Sequence, residues 1–105
     1  MKYAKVDVAG TGNETIIPAV AGKKFRVLDY LVTSAFNAVV QWKSNTGTAL
    51  SGTMHIASNG NIVAVGGYPT PAGMFGLFET NPGEPLVLDA DKACGGHLTY
   101  QEISV

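Results

Sequence analysis

Cys94-Gly95-Gly96-His97 is the sharpest chemical candidate in the chain, a thiol and an imidazole three positions apart across two glycines. Such a pair can share a metal ion or act as nucleophile and base. A structural zinc typically takes four ligands, and His55 is the only other histidine or cysteine. Three ligands per chain leave a deficit unless a symmetry axis gathers copies. As a nucleophile pair, Cys94 and His97 have no evident orienting group or oxyanion donor. The reading adopted is a small, partly buried cysteine beside a turn at Gly95-Gly96, with no metal site and no catalytic residue.

The remaining motifs are weaker. Gly10-Thr11-Gly12 follows an apolar run and imitates the opening of a dinucleotide fold, but Thr15 stands where the third glycine belongs. The segment after it, Ile16-Ile17-Pro18, supplies no helix N-terminus for a pyrophosphate. Gly22-Lys23-Lys24 lacks both the upstream glycine and the following Ser or Thr of a phosphate loop. Asp89 and Asp91 have a spacing that could join a calcium site, but their neighbours supply no dense run of oxygen ligands. No cofactor is expected. Tyr30, Trp42, Tyr68 and Tyr100 could stack sugars. Trp42, however, alternates with Val40 on one strand face, which favours a place in the core.

Residues at these positions must be carried by strands. Val6 and Val8 alternate with Lys5 and Asp7, Val40 and Trp42 with Gln41 and Lys43, and Leu98 and Tyr100 with His97, Thr99 and Gln101. A period of two is the strand signature, and it predicts strands near 3–8, 14–18, 24–34, 37–43, 52–57, 61–65, 74–79, 85–89 and 96–103. Turn signals separate them at Gly10–Asn13, Gly22, Asn45–Gly47, Ser58–Asn61, Pro69–Pro71 and Asn81–Gly83. Asn59-Gly60 reads as a type I′ hairpin turn. In Asn81-Pro82-Gly83, proline presets the second turn position and glycine accepts a positive φ at the third. No capped stretch of helical period appears. The expected fold is all-β, a single domain over residues 1–105 built as a small jelly-roll-like β-sandwich of about eight strands.

Two segments are apolar on both faces. In Phe25–Val32, one face carries Phe25, Val27 and Leu31 and the other Leu28, Tyr30 and Val32; Met74–Phe78 repeats the pattern. A chain too small for three layers satisfies such strands with a neighbouring subunit. Tyr30, Leu31, Phe75 and Leu77 are accordingly assigned to self-association, and Met1–Gly12 is read as an N-terminal arm reaching a neighbour.

Composition restricts the partners. Of 105 residues, 46% are hydrophobic and only 14% charged, so the surface either exposes few charges or is partly covered. A net charge of −1 supplies no basic field for phosphates, which argues against direct nucleic-acid binding. The opening MKYAKVDVAGTG contains no apolar run of secretory or membrane-spanning length, so no membrane partner is expected. The single cysteine fits synthesis in a reducing cytoplasm.

Gly83, Glu84, Leu86 and Leu88, followed by Gly96, Leu98 and Tyr100, together with the stretch Thr46–Asn61, resemble the C-terminal half of small β-sandwich capsid decoration, or cement, proteins of tailed bacteriophages. That resemblance implies a non-enzymatic virion protein, made in the host cytoplasm and bound to the major capsid protein on the outer shell as a homotrimer that stabilises it. The rival within virion biology is a tail-fibre, spike or head-fibre module that binds a host-surface glycan, with the loop Gly66–Gly73 as its rim. A free carbohydrate-binding module would have to expose Trp42 or Tyr68.

Overall fold

The structure is a computed structural model and describes residues 1–66 and 76–105. Those residues form ten strands in two packed antiparallel sheets. They are β1 (Lys2–Val8), β2 (Gly12–Ile17), β3 (Lys23–Ser34), β4 (Ala38–Ser44), β5 (Thr48–Ala49), β6 (Met54–Ile56), β7 (Gly60–Val65), β8 (Phe78–Glu79), β9 (Leu86–Ala90) and β10 (Cys94–Ser104). One sheet has the order β1-β10-β3-β7, with β8 also on β3; the other has β2-β9-β4-β5, with β6 also on β4. Strands from the two ends of the chain thus pair at one side while those from the middle pair at the other. Setting aside the two-residue strands β5 and β8, the eight that remain have the connectivity of a jelly roll.

The core lies between the sheets. β4 alternates without error, sending Ala38, Val40, Trp42 and Ser44 inward, and Leu86, Leu88 and Ala90 of β9 face the same interior. Trp42 is fully buried, as its alternation with Val40 predicts. Its ring centroid lies 5.3 Å from that of Tyr30 and 6.2 Å from that of Phe78, and Phe25 meets Tyr100 edge-on at 5.6 Å. Aromatic pairs in such tilted or edge-on arrangements contribute about 0.5–1.5 kcal/mol each beyond their area burial.

The double-faced pattern in β3 has an internal cause. Thr99 of β10 pairs with Asp29 while Tyr100 pairs with Val27, so Leu28 is an extra residue, a β-bulge. The extra residue shifts the alternation by one. Phe25 and Val27 before it, and Tyr30 and Val32 after it, all enter the same core, and Leu28 itself is 1% exposed. No neighbouring subunit is needed to bury them. Of the residues in that run, only Leu31 is left on the outer face.

Two turn assignments change. Gly95-Gly96 is not a break: both glycines lie inside β10, paired with β1 on one side and β3 on the other. Gly96 has φ +143°, and a Cβ there would collide with the Leu31 carbonyl. The glycine serves close approach of backbones rather than chain reversal. Asn59-Gly60 is not a type I′ hairpin turn, which needs positive φ at both central residues. Gly60 N–H donates to Ala57 O at 2.8 Å, and of the turn residues only Asn59 has a positive φ, +60°. This turn carries the chain from β6 in one sheet to β7 in the other. The turn at Asn81-Pro82-Gly83 forms as expected, with Glu84 N–H donating to Asn81 O and Gly83 at φ +74°. Within the segment read as a strand at 74–79, β8 is confined to Phe78–Glu79; Met74 and Phe75 lie outside the described residues.

Candidate interaction surface

Strand register sets the outer face of the β1-β10-β3-β7 sheet. One row across it runs Lys5, His97, Leu31, Val63 and the next runs Tyr3, Thr99, Asp29, Val65. Tyr3 is 77% exposed, Val63 61% and Val65 71%. Ile62 and Ala64, which alternate with the valines, pack against the core and fix which side of β7 faces out. Within the second row, Thr99 donates its hydroxyl hydrogen to Asp29 Oδ1 at 2.7 Å, so that carboxylate is held by its neighbour. The result is a three-residue apolar strip of Leu31, Val63 and Val65 on two adjacent strands, with Tyr3 at the opposite edge.

A charged cluster sits at the end of the same sheet. Glu79 of β8 stands opposite Arg26 of β3, accepting from Arg26 Nε at 2.8 Å and pairing with Arg26 Nη2 at 2.7 Å and Lys24 Nζ at 3.1 Å. Burial pushes the Glu79 carboxyl up, but the hydrogen bonds and positive charges of Arg26 and Lys24 together outweigh it and hold the group below the usual carboxylate range. Glu84 is likewise held low, first by the Ser44 hydroxyl at 2.7 Å and then by the Asn81 amide at 3.0 Å. Both carboxylates brace turns and strand ends.

The four residues assigned to self-association do not share a surface. Leu31 is on the outer strip. Tyr30 is buried against Trp42 and Phe78, with its hydroxyl 3.3 Å from Met54 Sδ, and burial raises its pKa. Leu77 is half-buried and packs on the core. Phase reversal at the Leu28 bulge is what separates Tyr30 from its expected place. Phe75 lies outside the described residues, as do Tyr68 and most of the Gly66–Gly73 loop. The segment read as an arm lies along its own sheet, with Lys2–Val8 paired to β10 from Tyr100 to Cys94.

Cys94 and His97 do not form a pair. Their positions in β10 differ by an odd number, so Cys94 faces the core while His97 is exposed on the outer face. Burial pushes the Cys94 thiol up, and its Sγ lies 3.3 Å from Lys92 O. His55 is on β6, in the other sheet. Asp89 and Asp91 do lie together, in a shallow groove of about 310 Å³ on the outside of that sheet with Val39, Gln41 and Thr53. Both carboxylates already have partners: Asp89 pairs with Lys43 at 3.1 Å, and Asp91 accepts from Val39 N–H at 2.8 Å. Among the described residues no group of three or more His, Cys, Asp or Glu is arranged to hold a metal ion.

Val63, Val65 and Tyr3 are the surface residues that the sequence did not single out. The run Gly60–Val65 is apolar at 62, 63, 64 and 65, so alternation could not say which pair faces outward. Its absence of charge was the available signal. Comparison of the chain with protein-family models, with curated proteins and with solved structures finds no match.

Proposed function

We propose that this chain is a non-enzymatic structural protein of a virion, a capsid decoration or cement protein that binds the outer shell and stabilises it. The observation that carries a binding role is the uncovered strip of Leu31, Val63 and Val65 on the outer face of one sheet. Apolar area removed from water contributes roughly 25 cal/mol per Å², and the flat outer face of a sandwich offers that area without any change of fold. The shell as the target rests on the resemblance of the strands around Leu86–Leu88 and Leu98–Tyr100 to those of phage cement proteins. A glycan-binding role is less well supported, because Trp42 is inside the core and presents no face to a sugar.

A cement protein adds stability by bridging neighbouring shell subunits, and several modest contacts engaged at once multiply in effect. The sandwich is suited to this work: its core is complete within one chain, so its outer face can be given over to contact. The test is reconstitution. Shells lacking the protein leak DNA at lower temperature than decorated ones, adding the purified protein restores them, and Leu31→Lys protein does not. Restoration by Leu31→Lys protein at equal occupancy would remove the strip from the mechanism.

A further inference from the structure

The two sheets have four outer edges, and three of them are guarded. β1 carries Lys2, Lys5 and Asp7; β2 carries Glu14 and a bulge between Thr15 and Ile17; β5 and β6 are only two and three residues long. Charges, bulges and short length are the devices by which sheet edges avoid pairing with other chains. β7 has none of them. Its six residues, Gly-Asn-Ile-Val-Ala-Val, include no charge and no proline, and among the described residues it pairs with β3 alone. Its outward side chains are the two highly exposed valines.

We infer that the free edge of β7 is a pairing site for β7 of a second copy, joined antiparallel about a two-fold axis that passes beside Val63. Residues opposite each other in an antiparallel ladder share a face, so a symmetric register must place a residue on the axis. With Val63 there, Val63 of one copy opposes Val63 of the other, Ile62 opposes Ala64, and Asn61 opposes Val65. This register covers both exposed valines of each copy. It also joins the outer rows into one apolar line, Leu31–Val63–Val63–Leu31, across the axis. Charge permits it: no charged residue of either β7 faces another, and the nearest carboxylate on that face, Asp29, is one strand back and held by Thr99.

Six-residue edges and four valines cover less than the roughly 800 Å² per partner of a typical stable interface, so the pairing is reversible in dilute solution. On a surface that holds copies side by side, the raised local concentration fills it. The self-pairing stands independently of which surface that is.

Directed crosslinking tests the register. In a Cys94→Ser background, Val63→Cys places two thiols opposite each other with Cα atoms about 4.5–5.5 Å apart, within disulfide range. Val63→Cys protein treated with oxidised glutathione forms a covalent dimer. Val65→Cys protein alone does not, but a mixture of Val65→Cys with Asn61→Cys forms the mixed dimer. Sedimentation of the unmodified protein from about 10 μM to about 1 mM shows the mass rising from one chain toward two, and Val63→Lys holds it at one. Equal crosslinking of Val63→Cys and Val65→Cys, a mass that stays at one chain throughout, or a mass of three chains would each overturn two-fold pairing through β7.

Discussion

Leu31 and Val63 stand opposite each other across the β3–β7 ladder, on a face that no other described part of the chain covers. Neither contributes to the buried core cluster. Leu31→Lys and Val63→Lys should therefore leave the fold intact, with stability within about 1 kcal/mol of the parent. Both should weaken shell binding at least tenfold, because each puts a charge in the middle of the strip. Urea midpoints and co-sedimentation with undecorated shells check the two halves separately.

The opposite behaviour is expected at Gly96. A side chain there meets the carbonyl of Leu31, a backbone atom that cannot move without opening the β10–β3 ladder. Gly96→Ala should cost roughly 2–4 kcal/mol, a large part of the stability of a small domain. Gly47→Ala, where nothing lies within 4 Å of the added atom, is the control and should shift the urea midpoint little.

Trp42 is the largest side chain in the core, ringed by Tyr30 and Phe78. Its fluorescence should be blue-shifted and resistant to aqueous quenchers. Trp42→Ala should cost about 3–5 kcal/mol and Trp42→Phe less, since the latter keeps a ring in the cluster. Free quenching by iodide in the folded protein would show that the sheets do not close over this residue.

Glu79 makes stability depend on acid. Its folded pKa lies below its unfolded value, so its contribution is present above the ordinary carboxylate range and is lost as the pH falls through the folded pKa. Glu84 acts in the same direction. The parent should lose stability from about pH 5 downward, and Glu79→Gln should lose less over the same interval. Parallel acid profiles of urea midpoint for the two proteins would mean that the Arg26–Glu79–Lys24 cluster does not hold the carboxylate.

Burial also fixes the chemistry of Cys94, whose thiol is pushed up and turned into the core. Ellman's reagent should titrate one thiol per chain only after unfolding. Reaction in the folded state at the rate of a free thiol would place Cys94 at the surface.

Much of the fold was legible because period-two alternation is a local property. Val40 and Trp42, or Leu98 and Tyr100, announce both a strand and its inward face, and the Asn81-Pro82-Gly83 turn follows from the dihedral preferences of two residues. What alternation cannot show is an insertion. The bulge at Leu28 makes one strand look apolar on both faces, and that appearance moved Tyr30 from the core to a supposed seam. Glycine is ambiguous in a different way. Gly95-Gly96 has the composition of a turn, yet its role depends on the approach of β3, a partner more than sixty positions away in the chain. The strip itself was half visible: Leu31 was singled out, while Val63 and Val65 could not be told from Ile62 and Ala64 until the register with β3 was fixed.

Cryo-electron microscopy of the virion, at a resolution that traces strands, tests the central claim most directly. The account predicts a ten-strand sandwich on the outer surface of the capsid shell, with the Leu31–Val63–Val65 strip buried in a contact. Bare shells, with this sandwich found only in the tail or absent from the particle, would contradict it.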